Sequence, residues 1–228
     1  MKRVWLIDFL RGLAVLMMIV FHSLFYLDYF GFAKIDLYSG IIGRFQMLIP
    51  LLFIFLSGVS SKIQLKSGGK KAVLLRGLKI LGMGMLITIA TLILFPDNFV
   101  FFGILHLIGL CVILSVFFSE YFALIFGTII LFISNMVNNS IVTNKYLSIF
   151  GFKYLGLNTF DYYPLIPWLG IFLLGFYSSK FILKLKPSKL NSKAISVVNW
   201  FGRHSLIIYF SHIIILFSFF WMIKQFFQ

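Results

Sequence analysis

Charge is what this sequence has least of, and acidic charge above all. Six aspartates and glutamates stand against twenty lysines and arginines in 228 residues, and charged residues make up only 11% of the chain. A soluble domain of this size could not screen a chain that is 61% hydrophobic, with a mean hydropathy of +1.03, behind so few charges, so lipid is the solvent that fits. Cysteine is nearly absent too. Cys111 is the only one and lies in an apolar run, which excludes an intrachain disulfide and leaves the redox compartment open. Hydrophilic stretches long enough for a second domain are missing, as are internal repeats and low-complexity tracts, so residues 1–228 read as a single domain.

Several chemistries lack their signatures as well. There is no Gly-x-Ser-x-Gly elbow, no P-loop and no dinucleotide fingerprint. The four histidines show no paired ligand spacing, so no metal is expected. The net charge of +14 would point to nucleic acid in a soluble protein, but here its distribution sets topology, and nucleic acid is not an expected partner.

What is present is a series of apolar runs near the ~20 residues that a ~30 Å hydrocarbon core requires. They predict spans at 4–26, 41–61, 73–95, 99–118, 121–137, 162–182 and 204–223: an all-α, polytopic bundle of about seven helices. Asp8 and Arg11 interrupt the first run and no small-residue cleavage site follows, so it reads as a span rather than a removed leader. The breaks are a basic turn at Lys66-Ser67-Gly68-Gly69-Lys70-Lys71, tight connections at Pro96-Asp97-Asn98 and Ser119-Glu120, a loop over 138–161, and a lysine- and serine-rich stretch over 183–203. With the N-terminus inside, inner segments carry fifteen of the basic residues, among them Lys2, Arg3, Arg11, Lys62, Lys66, Lys186, Lys189 and Arg203. The outer segments carry only Lys34, Arg44, Lys145, Lys153 and Lys224. This bias places the N-terminus in the cytoplasm and the C-terminus outside, in a multi-pass protein of the plasma membrane.

Ionisable groups inside a span are unfavourable by roughly 2.5–3.5 kcal/mol each and ask for a reason. Asp8, Arg11, Val15, Met18 and His22 share one face of the first helix, with Arg11 and His22 eleven residues and ~16 Å apart. One reading is an Asp8–Arg11 pair at the headgroups and a buried, hydrogen-bonded histidine; the other is a polar groove. His106, between Gly103 and Gly109, is either packed against a close neighbouring helix or functional. Ser205, Tyr209 and His212 form a polar stripe on the last helix, while His204, beside Arg203, fits a snorkelling role at the inner surface. Asp161 either caps the sixth span, where Pro164, Pro167 and Trp168 suit a first turn and an aromatic belt, or orients a histidine.

Five blocks carry a resemblance. Ile-Asp-Phe-Leu-Arg-Gly-Leu-Ala-Val-Leu-Met-Met-Ile-Val-Phe-His over 7–22, Pro-Leu-Leu-Phe-Ile-Phe-Leu-Ser-Gly over 50–58, Phe-Gly-Ile-Leu-His over 102–106, and residues 161–170 and 202–212 resemble the membrane proteins related to heparan-α-glucosaminide N-acetyltransferase. Arg11-x10-His22 also resembles the signature of the wider acyltransferase 3 group. The resemblance implies transfer of an acetyl group from cytoplasmic acetyl-CoA to an extracytoplasmic sugar amine or hydroxyl of a glycan or glycolipid. It implies catalytic roles for His22, Asp161 and His106, and substrate binding by Arg11, Arg44, Trp168, Tyr209, His212 and Arg203. His22 comes from the acyltransferase 3 pattern, since the animal enzyme has asparagine there. That enzyme is larger, and a cell-envelope acceptor is expected here rather than heparan sulphate. The lipid bilayer is an expected partner, and a homodimer is left open. A small-solute or proton-coupled transporter is the alternative, because intramembrane His, Arg and Asp also mark ion pathways, although no inverted repeat is visible.

Overall fold

The computed structural model describes residues 4–184 and 193–227. Lys2, Arg3, Lys186 and Lys189, assigned above to the inner face, lie outside the described residues. Those described are helical, with no β-strand and two isolated bridges, Phe102 with Tyr162 and Ile141 with Lys153. The helices are α1 (Trp5–Tyr29), α2 (Gly40–Leu94), α3 (Ile104–Leu114), α4 (Glu120–Asn139), α5 (Leu165–Ile182), α6 (Lys193–Arg203) and α7 (Ser205–Phe227). Five of them (α1, α2, α4, α5 and α7) are long and apolar enough to cross a membrane.

Three departures separate this from the expected run of spans. The second and third expected spans both lie in α2, which is helical through the basic turn except at Gly69. There φ is 73° and ψ 179°, a conformation open essentially to glycine alone. The chain reverses at that point. Gln64 Nε2 donates to Ala72 O at 3.1 Å and Arg76 Nη1 to Gln64 Oε1 at 3.2 Å. In a straight helix, residues 64 and 76 would stand ~18 Å apart.

The fourth expected span is only the 11-residue α3, ~16 Å long, followed by a 3₁₀ turn at Ser115–Phe117. Residues 99–103 are drawn out of helix because Phe102 pairs with the segment before α5: Tyr163 N–H donates to Phe102 O at 2.9 Å. Finally, the stretch read as a break over 183–203 contains α6. Ile195, Val198 and Gly202 recur at helical spacing on its inward side, while Lys193, Ser196 and Arg203 are exposed.

The chain folds as two compact units. The first consists of the described residues up to Phe53 and those from Lys193 onward. Its core is Val15, Met18 and Phe21 of α1 with Leu37 and Ile49, and Phe201 and Ile208 pack against it. The connection from α1 to α2 is held by Asp28, whose carboxylate accepts from Ile35 N–H at 3.0 Å. The second unit, the described residues from Ile54 to Lys184, packs the arms of α2 with α3, α4 and α5. Gly109 meets Leu81 there, the close helix approach expected beside His106. Ser119 caps α4 by accepting from Phe122 N–H at 3.3 Å, and Glu120 pairs with Lys62 and Lys66 at 3.3 and 2.9 Å.

Candidate active site

In the first unit, α1 and α7 bring two histidines together. His22 Nδ1 lies 2.9 Å from Met18 O, and His212 Nδ1 lies 2.7 Å from Tyr209 O and 3.2 Å from Ile208 O. A carbonyl oxygen can only accept, so Nδ1 carries the hydrogen in both rings and each neutral imidazole keeps its lone pair on Nε2. The rings meet nearly edge-on, with centroids 4.7 Å apart and planes at 78°. His212 is 4% exposed, and its Nε2 is buried without a hydrogen-bond partner. Tyr209 places its ring 5.7 Å from that of His212. His22 of the first helix therefore meets His212 and, through it, Tyr209 of the last.

Toward its start, α1 packs on α6. A Cβ on Gly12 would stand 1.9 Å from Val198 O, and one on Gly202 would stand 1.8 Å from Asp8 O, so only glycine permits the backbones to meet. Asp8 and Arg11 form the expected pair at 3.7 Å. A cleft of about 250 Å³ opens beside them, lined by Trp5, Asp8, Ser196, Asn199 and Arg203. Arg203 Nε donates to Asn199 O at 3.3 Å, and His204 Nδ1 lies 2.9 Å from Trp200 O. Ser196 and Asn199 escaped the sequence reading because the lysine-rich composition hid a helix. The spacing of Ile195, Val198 and Gly202 is the signal that would have exposed it. Arg44 is exposed on the first turn of α2.

The second unit gathers Asp161 and His106 at the start of α3. Asp161 Oδ2 accepts from Ile104 N–H at 3.0 Å, so this carboxylate caps α3 rather than the helix that follows it. His106 Nδ1 accepts from Gly103 N–H at 3.2 Å, which leaves the hydrogen on Nε2. Nε2 in turn lies 3.2 Å from Thr88 Oγ1, and the Thr88 hydroxyl donates to Val100 O at 2.7 Å. Both nitrogens of His106 are thus engaged. In the loop before α5, burial pushes the Asp161 carboxyl up to about 6, and the Ile104 N–H only partly offsets it. Pro164 precedes α5, Ile166 is non-helical and the Ile166–Pro167 bond is cis. Trp168 packs its ring 5.3 Å from Tyr163.

The sequence-chosen residues accordingly fall into two groups: His22, Tyr209, His212, Arg11, Arg44 and Arg203 in one unit, and His106, Asp161 and Trp168 in the other. Among the described residues, no three His, Cys, Asp or Glu side chains are grouped to hold a metal ion.

Residues 3–214 match the family described as heparan-alpha-glucosaminide N-acetyltransferase, catalytic. The chain belongs to that family. The match runs from the start of α1 into α7 and takes in both histidines of the α1–α7 cluster. Neither the curated proteins nor the solved structures contain a match. A heparan-alpha-glucosaminide N-acetyltransferase catalytic family member with five such apolar helices is a membrane acyltransferase, which favours transfer chemistry over the carrier alternative.

Proposed function

We propose that the protein transfers an acetyl group from acetyl-CoA, bound from the cytoplasm, to an amine or hydroxyl of an extracytoplasmic glycan or glycolipid at the plasma membrane. The observation that supports this reading is the His22–His212 pair, two imidazoles with Nδ1 tied to backbone and Nε2 left as base. The acceptor nitrogen or oxygen attacks the thioester carbonyl carbon, and the new C–N or C–O bond forms as the C–S bond breaks. Nε2 of His22 takes the acceptor's proton and returns it to the departing sulfur, which leaves as the CoA thiol. His212, edge-on to His22, stabilises the imidazolium formed in passing. Arg11 and Arg203 meet the donor's phosphates, while Arg44 and Tyr209 bind the acceptor. Asp161 and His106 act as positioning residues that hold the start of α3.

The test is release of CoA thiol from acetyl-CoA by detergent-purified protein, with glucosamine as the probe acceptor. His22→Ala should lower kcat by ~10²–10⁴, the range of a general base, and Arg11→Ala should raise KM. Wild-type turnover by His22→Ala would remove His22 from the chemistry.

A further inference from the structure

The cleft between α1 and α6 contains a feature the fold does not explain. Asn199 lines it, and its Oδ1 is buried with no hydrogen-bond partner. An orphaned buried amide oxygen is unfavourable by ~1–3 kcal/mol, which calls for a partner that arrives from outside. Around it the cleft offers an indole, a carboxylate and a guanidinium, from Trp5, Asp8 and Arg203. At about 250 Å³ it is smaller than the ~300–1,000 Å³ typical of whole-ligand pockets, so it fits one end of a larger molecule.

The four chemistries converge on one ligand class. An asparagine amide pairs with the 6-amino group and N7 of adenine. An aromatic ring stacks on the base, a carboxylate accepts from a ribose hydroxyl, and arginine binds phosphate. We infer that the α1–α6 cleft seats the adenine nucleotide end of the acyl donor, with Asn199 reading the 6-amino group. This deepens the reading above and rests on it. Asp8 and His22 are fourteen residues apart on α1, ~21 Å along its axis, so an extended pantetheine arm would run from the cleft toward the histidines.

The experiment compares ADP with IDP, which lacks the 6-amino group, by calorimetry on the full chain in detergent. Wild-type protein should bind ADP saturably and IDP at least tenfold more weakly, and Asn199→Ala should erase that difference. In the thiol-release assay, Asn199→Ala should raise KM at least tenfold for acetyl-CoA. It should leave kcat, and both constants for acetyl-pantetheine, unchanged. Equal binding of ADP and IDP by wild type overturns the inference without any variant, as does an unchanged acetyl-CoA KM in an Asn199→Ala protein that melts like wild type. If neither donor releases thiol but ADP still binds with the Asn199-dependent preference, acetyl transfer falls and the nucleotide site stands.

Discussion

Asp161 carries a charge that the fold resists, and the sign of its effect on stability follows from that. Its folded-state value of about 6 lies above the ordinary 3.8. The folded protein therefore takes up a proton before the unfolded chain does, and Asp161 favours folding increasingly as pH falls from about 6 toward 4. Above that window its ionised form weighs against the fold by a constant amount. Asp161→Asn keeps an oxygen for Ile104 N–H and removes the titration, so its melting temperature in detergent should lose the wild-type rise between pH 6 and 4. A variant with the wild-type pH slope would place the titrating group elsewhere. Sequence marks Asp161 as unusual and leaves it as a cap of the sixth span or a partner of a histidine. That it caps α3 instead is not legible, because nothing local shows that Phe102 and Tyr162 lie side by side. His22 and His212 were each singled out from their own helices. That their rings touch depends on α1 packing against α7, which no periodicity within either helix encodes.

At the scale of helices, glycine decides two junctions. Gly69 makes the reversal within α2, and Gly69→Ala should lower stability by ~1–3 kcal/mol, read as a drop in melting temperature, because a Cβ disfavours that backbone conformation although space around it is open. At the other junction conformation is ordinary and space is not. A side chain on Gly202 meets the Asp8 carbonyl, so Gly202→Val should displace α6 from α1 at a comparable ~1–3 kcal/mol. It should also raise KM for acetyl-CoA, since the cleft lies at the same contact. The long spans were legible because twenty apolar residues in a row have few alternatives. α6 was not, since its apolar side is narrow and composition counts lysine and serine without regard to which face they occupy.

For the whole molecule, the distribution of lysine and arginine predicts the N-terminus inside and the hairpin turn near Ser67 on the cytoplasmic side. Ser67 and Asn158 are both exposed, and Cys111 is buried, so single cysteines can be introduced against a quiet background. A membrane-impermeant maleimide applied to intact cells should label Asn158→Cys and spare Ser67→Cys until the membrane is opened. The opposite pattern would invert the topology and with it the side from which acetyl-CoA is drawn.

The first unit joins residues before Ile54 to residues after Leu185, and this has a consequence for biosynthesis. At ~5–20 residues per second, roughly 8–35 seconds separate synthesis of α1 from that of α6 and α7. Throughout that interval Asp8, Arg11 and His22 stand in the bilayer or at the translocon without the helices that later cover them. The nascent chain must wait for α6 and α7 before α1 is sheltered, a window in which a membrane chaperone or a quality-control protease would find it.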